Sequence, residues 1–165
     1  MTIEQNKKAS VLFVCMGNIC RSPTADAVFK HIVRQAGLER EIYVDSAGTH
    51  AYHIGEPPDR RAQNSASKRG YSMQDLRARK VVVSDFADFH YILAMDYENL
   101  AYLQQWCPDR YSGKPKLFMS YSKGKYNDQE VPDPYFGGDQ GFEQVLDMIE
   151  EASKSLLEHI CRQKV

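Results

Sequence analysis

Two residues with complementary chemistry stand close together near the start of the chain, Cys15 and Arg21. The five residues between them can close into one turn whose backbone N–H groups point inward. Inward N–H groups bind an anion of phosphate size, and a guanidinium can hold two of its oxygens in a bidentate grip. The same positive field favours the thiolate, which is the nucleophilic form of cysteine. The spacing therefore predicts an anion-binding loop with Cys15 as its nucleophile.

The other residues of this segment suit such a loop. Gly17 tolerates a positive φ without penalty, and Asn18 tolerates it better than most residues. Ser22 is placed to cap a helix that has Pro23 at its first position, and its hydroxyl can also donate to the Cys15 thiolate and help to expel it. The N-terminal end of that helix adds to the positive field. We assign the phosphate-binding loop to Met16, Gly17, Asn18, Ile19, Cys20 and Ser22.

An apolar run leads into the loop, and strand-like and helix-like segments alternate after it. The continuously apolar stretch 11–14 predicts a strand buried on both faces, and the best-defined helix follows it, with Gly37 as its stop. Further predictions are strands at 42–46, 90–95 and 115–119, a helix after Pro58, short helices after Ser84 and Asp96, and a long C-terminal amphipathic helix. This alternation favours an α/β fold, a parallel sheet covered by helices on both faces, with ligands bound beyond the carboxyl ends of its strands.

A second motif supplies an acid. A thiolate that attacks phosphorus needs a proton donor on the opposite side for the departing oxygen. Asp133 lies between two prolines, which stiffen the loop and hold the carboxyl in one direction. An aspartate between prolines is more often a turn residue, so the assignment depends on the loop at Cys15. As a catalyst, Asp133 would protonate the leaving oxygen and then, as carboxylate, activate a water.

Length and composition narrow the class of protein. The 165 residues, 42% of them hydrophobic, favour one domain at 1–165, with a flexible N-terminal extension at 1–9. The 21 basic and 22 acidic residues nearly cancel and form no basic run, which argues against a nucleic-acid partner. No apolar run fits a signal sequence or a membrane span, so we expect a cytoplasmic protein that does not associate with membranes. Four cysteines without such a signal argue against a disulfide framework.

A metal site is not predicted. Cys15 and Cys20 lack the usual close spacing and a second Cys/His pair. The five histidines show no ligand spacing either; they are His31, His50, His53, His90 and His159. We therefore expect no metal.

Taken together, the motifs resemble the low-molecular-weight protein tyrosine phosphatases, also known as acid phosphatases. Those proteins carry Val-Cys-x-Gly-Asn-Ile-Cys-Arg-Ser-Pro near the N-terminus and Asp-Pro-Tyr near the C-terminal helix, which correspond here to 14–23 and 133–135. Similar segments between them lie at 45–49, 55–59, 78–79 and 91–96, so the resemblance covers nearly the whole chain. It implies a four-stranded parallel sheet and hydrolysis of phosphotyrosine or aryl phosphates without a cofactor, with inorganic phosphate and other oxyanions as inhibitors.

The resemblance also implies roles around the loop. Asn18 and Ser46 hold it rigid through hydrogen bonds, in a network to which animal members add a histidine near the position of Asp75. Asp96 matches the family and can serve as a helix cap. Aromatic walls suit phosphotyrosine, whose phosphate stands farther from the backbone than that of phosphoserine. The predicted walls are Ile19, Tyr52, Tyr135 and Phe136, with 50–54 shaping the rim. Many members have a second tyrosine at the position of Phe136, so regulation by double phosphorylation is not expected.

No step of hydrolysis requires Cys20, yet it shares the loop with Cys15. A sulfenic acid on a thiolate cysteine condenses with a neighbouring thiol to a reversible disulfide. The resemblance favours Cys20 as that redox partner. The alternative is a small apolar residue that fills the underside of the loop.

Two other functions fit parts of the pattern. Arsenate reductases use the same fold and loop, but a reductase of that kind needs two further cysteines close together, whereas Cys107 and Cys161 are far apart in sequence. A non-enzymatic phosphotyrosine-binding module needs neither a nucleophile nor an acid, and the presence of both Cys15 and Asp133 argues against it.

Overall fold

The computed structural model describes residues 7–135 and 138–163. Four parallel strands form one sheet in the order β2-β1-β3-β4. Their bounds are β1 Ala9–Cys15, β2 Ile42–Gly48, β3 Tyr91–Ala94 and β4 Pro115–Leu117. The predicted α/β class and the four-stranded parallel sheet are confirmed. Because β1 lies between β2 and β3, the loop that follows it emerges between two neighbours at the carboxyl edge of the sheet.

Helices connect the strands and cover both faces of the sheet. They are α1 Arg21–Gln35, α2 Arg60–Lys68, α3 Val83–Asp88, α4 Tyr97–Trp106 and α5 Asp139–Arg162, with short 3-10 helices at Asp109–Tyr111 and Phe118–Tyr121. Each segment predicted as a helix therefore contains one. Among the described residues, no helix is long and apolar enough to cross a lipid bilayer.

The strand β1 buries residues on both of its faces, as its apolar run predicts. Phe13 packs edge to face against Phe29 and Phe118, with ring centroids 5.7 and 4.9 Å apart. Leu12 points to the opposite face, in a second cluster that includes Phe86. Since successive side chains of a strand alternate between faces, the two clusters hold β1 from both sides. The start of the anion-binding loop is thereby fixed in the core.

The start of α1 differs from the prediction. Its N-cap is Cys20, without a side-chain cap hydrogen bond, and Ser22 lies inside the first turn. The prediction that Ser22 caps the helix is therefore wrong, because its hydroxyl lies 3.0 Å from the Cys15 sulfur instead. Pro23 is accordingly the third helical residue and not the first. Gly37 follows the helix with a φ of +73°, as expected for its stop.

The N-terminal boundary also differs. Of the predicted extension at 1–9, Lys8 and Ala9 are held by the start of β2, and residues 1–6 lie outside the described residues. The Lys8 N–H donates to the Glu41 carbonyl at 2.8 Å, and its ammonium lies 2.9 Å from the Glu41 carboxylate. Ala9 is already buried in β1. The assignment of these two residues to a flexible extension is wrong, because pairing with the neighbouring strand begins there.

Asp26 is an acidic residue buried within α1. It is 0% exposed, and its Oδ1 lies 2.8 Å from the Lys30 ammonium one turn along the helix. Burial raises the pKa of the Asp26 carboxyl to about 6, and Lys30 offsets this only in part. A carboxyl with a higher pKa in the folded chain contributes stability at low pH, and that contribution is lost as the pH rises through the folded pKa.

Replacement of Asp26 by asparagine removes this pH-dependent loss. We expect the free energy of unfolding of Asp26→Asn, relative to wild type, to rise between about pH 4 and about pH 7.5, by up to about 3 kcal/mol. Denaturant unfolding at both pH values measures it, with Asp75→Asn as the control because Asp75 is exposed. A difference from wild type that stays constant across this range would contradict the account.

Candidate active site

A cavity of about 180 Å³ opens at the carboxyl edge of β1. It is lined on one side by loop residues 15–17 and 19–21, and on the other by Tyr52, His53, Asp133 and Tyr135. The predicted nucleophile, cation, acid and three of the wall residues thus share one cavity. The fourth predicted wall residue, Phe136, lies outside the described residues. Within 7–135 and 138–163, no group of three or more His, Cys, Asp or Glu side chains is placed to hold a metal ion.

Cys15 is the last residue of β1 and is 3% exposed. Its sulfur accepts a hydrogen bond from the Asn18 N–H at 3.3 Å and lies 3.0 Å from the Ser22 Oγ. The Asn18 side-chain amide donates to the same Ser22 oxygen at 2.8 Å. The Ser22 hydroxyl can donate either to the Cys15 sulfur or to the Ala47 carbonyl, which lies 3.4 Å away. The Asn18 N–H, joined by the Ser22 hydroxyl when it donates to the sulfur, stabilises a negative charge on Cys15.

Asn18 fixes the shape of the loop. Its φ is +58°, a conformation that asparagine adopts more readily than most residues. Its Nδ2 donates to the Ser46 hydroxyl at 3.0 Å, and its Oδ1 accepts from the Arg79 backbone N–H at 3.0 Å. Arg79 is held in turn by ion pairs to Asp45 at 3.1 Å and Asp85 at 3.0 Å. The hydrogen bond between Asn18 and the Arg79 backbone was not predicted. In the sequence, residues 78–79 stand out only as one of the segments that resemble the family.

Arg21 is a buried cation, 3% exposed. Its Nη1 donates to the Asp96 carboxylate at 2.6 Å and to the Val131 carbonyl at 3.1 Å, and its Nη2 lies 3.9 Å from the Asp133 carboxylate. Burial acts to lower the pKa of Arg21, but neighbouring negative groups more than offset this and raise it. Those groups are Cys15, Asp96 and Asp133. The guanidinium therefore stays charged.

Asp96 has two contacts. Its Oδ1 accepts from the Asn99 N–H at 2.7 Å, which makes it the N-cap of α4, and its Oδ2 accepts from Arg21. The expected helix cap is confirmed. The support of Arg21 was not predicted, because nothing in the sequence shows that the ends of β1 and β3 bring the two residues together.

The segment that contains Asp133 is fixed at two points. The Val131 N–H donates to the Met95 carbonyl at 2.9 Å, just beyond β3. The Arg61 guanidinium donates to the Tyr135 carbonyl at 2.7 Å and lies 5.5 Å from the centre of the Tyr135 ring. Asp133 itself accepts from the Tyr135 N–H at 3.0 Å, and its side chain is 42% exposed. The carboxyl is thus held at the cavity while it remains open to solvent.

The walls of the cavity rise around its mouth. Tyr52 is 70% exposed and Tyr135 is 39% exposed, whereas Ile19 is half-buried. His53, from the segment expected to shape the rim, lies against Gly17, and its Nδ1 is 2.5 Å from the Glu56 carboxylate. Two exposed tyrosine rings therefore line a cavity, the slot, that also contains a buried thiol.

A family model described as low molecular weight phosphotyrosine protein phosphatase matches residues 10–165. The chain belongs to this family. It is 42% identical over 152 residues to the low molecular weight phosphotyrosine protein phosphatase of Rattus norvegicus, covering 90% of this chain and 94% of that one. It is 40% identical over 155 residues to the low molecular weight protein-tyrosine-phosphatase YfkJ of Bacillus subtilis, covering 94% and 97%. A crystal structure of a protein tyrosine phosphatase from Entamoeba histolytica matches with a TM-score of 0.90 at 40% identity, covering 95% and 99%.

Two positions bear on what the family resemblance implies. Asp75, near the position of the histidine of animal members, is exposed. The Arg79 backbone N–H contributes to the hydrogen-bond network around Asn18. Cys20 is 5% exposed, and burial, followed by the charges of Asp59 and Cys15, raises the pKa of its thiol. Cys20 is therefore a neutral thiol at neutral pH.

Gly48, the last residue of β2, leaves room for the loop. A Cβ at this position would lie 2.7 Å from the Met16 carbonyl oxygen. Gly48 cannot shift freely, because its N–H donates a hydrogen bond to the Arg79 carbonyl and its carbonyl accepts one from the Val81 N–H. We expect Gly48→Ala to lower the free energy of unfolding by about 1–3 kcal/mol. By displacing the loop, it should also weaken vanadate binding by about tenfold or more.

Denaturant unfolding and vanadate inhibition measure the two effects. Gly113→Ala is the matched control, since no heavy atom beyond its two chain neighbours lies within 4 Å of its added Cβ. Wild-type stability and vanadate affinity in Gly48→Ala would contradict a close approach of β2 to the loop.

Proposed function

We propose that this chain hydrolyses phosphotyrosine and aryl phosphate monoesters through a phosphocysteine intermediate on Cys15. The observation that supports this most strongly is the shared cavity, which Arg21 and Asp133 line together with a buried cysteine sulfur that accepts from the Asn18 N–H and lies 3.0 Å from the Ser22 hydroxyl. The proposed setting is cytoplasmic, where Cys15 stays reduced, and the proposed partners are phosphotyrosine proteins, with neither nucleic acid nor membrane involved.

The first chemical step transfers the phosphoryl group to the enzyme. The loop N–H groups and the Arg21 guanidinium hold the phosphate oxygens, since Asp96 and Val131 occupy only Nη1. The Cys15 thiolate attacks phosphorus and forms the S–P bond while the bond to the phenolic oxygen breaks. Asp133 gives its proton to that oxygen, so that a neutral phenol leaves.

The second step releases phosphate. Asp133, now a carboxylate, accepts a proton from a water molecule while the oxygen of that water attacks phosphorus. The S–P bond breaks, and the thiolate returns to Cys15. The Ser22 hydroxyl, 3.0 Å from the sulfur, donates to the departing thiolate and makes it a better leaving group. Inorganic phosphate and related oxyanions occupy the same loop and inhibit.

The slot supports a preference for aryl phosphates. Ile19, Tyr52 and Tyr135 line the same cavity as Cys15, so the phenyl ring of an aryl phosphate bound at Cys15 would contact apolar and aromatic side chains. A serine phosphate has a shorter stem and lacks a ring to contact the walls.

Cys15→Ser tests the nucleophile. We expect this variant to retain binding of phosphate or vanadate and to lose turnover of an aryl phosphate, because a neutral hydroxyl is a far poorer nucleophile than a thiolate. Arg21→Lys should also lose most activity, since a point charge does not replace a bidentate fork. Assays with a chelator, and with arsenate plus a thiol reductant, distinguish hydrolysis from metal-dependent and arsenate-reducing activity. Substantial turnover by Cys15→Ser would overturn the mechanism.

Asp133→Asn tests the acid. The loss of kcat/KM should grow with the pKa of the leaving phenol, because an acidic phenol departs without protonation. A series of substituted aryl phosphates measures this slope. Asp96→Asn is the comparison: it weakens the support of Arg21 and should slow all substrates by a similar factor. A uniform loss in Asp133→Asn would assign the acid to another carboxyl group.

The proposed redox partner of Cys15 is Cys20. Peroxide oxidises the Cys15 thiolate to a sulfenic acid, and the Cys20 thiol displaces water from it to form the disulfide. The buried, protonated thiol should react slowly but still protect the enzyme. After peroxide and then a thiol reductant, activity should return well in wild type and poorly in Cys20→Ala. Equal recovery, or a peptide map that joins Cys15 to Cys107 or Cys161, would exclude this role.

A further inference from the structure

A series of aromatic rings, exposed at both of its ends, leads away from the active-site cavity. Tyr52 lines the cavity and stacks on His50, with ring centroids 5.3 Å apart and planes 6° from parallel. His50 contacts Tyr102, at 5.5 Å, and Tyr102 contacts Trp106 of the same helix, at 6.2 Å. We name these four residues the aromatic ladder. The hydrolytic mechanism uses none of its members beyond Tyr52.

The ladder is anchored directly to the phosphate-binding loop. The His50 N–H donates to the Met16 carbonyl at 3.0 Å, and the preceding residue, Thr49, donates to the Cys15 carbonyl at 2.9 Å. The Thr49 hydroxyl also lies 2.7 Å from the His50 ring nitrogen Nδ1, which fixes the ring orientation. The stacked surface is therefore held in a defined position relative to the nucleophile.

Its outer members are too exposed to serve mainly as core. Tyr52 is 70% exposed and Trp106 is 56% exposed, whereas Leu103 of the same helix is fully buried. Exposed tyrosine and tryptophan side chains that are held rigid supply large contact areas at low entropic cost, and they are enriched among residues that dominate protein recognition.

We propose that the aromatic ladder binds the segment of the substrate polypeptide next to the phosphotyrosine, through an aromatic or aliphatic side chain. This inference rests on the proposed phosphatase function. A polypeptide is the occupant because the ladder is continuous with the slot through Tyr52, so a chain whose phosphotyrosine enters the slot passes over it. A small aryl phosphate ends at the slot and does not reach Trp106. At about 3.4 Å per extended residue, the apolar side chain lies within about five residues of the phosphotyrosine.

A set of phosphotyrosine peptides tests the proposal. A single leucine is moved along a serine and glycine background, within about five residues on either side of the phosphotyrosine. Wild type should prefer leucine at positions on one side. In Trp106→Ala this preference should fall about fivefold to tenfold, through KM, while kcat and the turnover of a small aryl phosphate stay near wild type.

Tyr97→Ala is the matched control. Tyr97 lies in the same helix and is 54% exposed, but it is not a member of the ladder. Tyr102→Ala provides a second variant, with the same expected loss as Trp106→Ala. An unchanged leucine preference in both ladder variants, or an equal loss in Tyr97→Ala, would overturn the proposal.

Two further outcomes are distinguishable. If wild type turned over the small aryl phosphate but showed no leucine preference, this inference would fail and the proposed function would stand; if it turned over no phosphate ester, both would fail. Sedimentation at assay concentrations addresses a second copy of the chain as occupant. A dimer that dissociates in Trp106→Ala would assign the ladder to self-association and overturn the proposal.

Discussion

A guanidinium that is 3% exposed needs its charge and its donors satisfied by the protein, and the site is arranged around this requirement at Arg21. Its partners come from separate parts of the chain: Asp96 begins α4, and Val131 and Asp133 belong to the segment before α5. A single cation thereby draws the acid segment towards the loop of the nucleophile. The same charge is what the proposed chemistry needs for a phosphate dianion, so the proposed mechanism uses for substrate binding the same group that organises the fold at this edge.

The shape of the loop depends on a second set of contacts, made mainly by one asparagine. Asn18 adopts a left-handed conformation, and its side-chain amide reaches Ser22, Ser46 and the Arg79 backbone. Gly48 lets β2 approach closely enough for these bonds to form. These hydrogen bonds fix the shape of the loop with the Asn18 N–H pointing at the sulfur, so little reorganisation is needed during the proposed reaction.

Several features of the site could be predicted from sequence because local chemistry determines them. The cysteine and arginine at loop spacing, the buried strand before them and an aspartate between prolines each have a local physical signature. Of the two roles predicted for Ser22, only the helix cap is wrong: a serine before an apolar stripe usually caps, but here the hydroxyl lies beside the Cys15 sulfur, as the second role requires. The Arg79 backbone contact, the support from Asp96 and the aromatic ladder depend on residues far apart in sequence. Backbone donors and ring contacts of that kind leave no local pattern.

The central claim is that phosphate passes through a covalent bond to Cys15. The most direct measurement is to mix Asp133→Asn with an excess of an aryl phosphate that has an acidic phenol, quench, and map the phosphorylated peptide by mass spectrometry. An acidic phenol leaves without the missing acid, whereas hydrolysis lacks its base, so the intermediate should accumulate. The account predicts one phosphate on the peptide that contains Cys15, absent in the double variant that also carries Cys15→Ser. Turnover without phosphorylated enzyme, or phosphate on another residue, would contradict it.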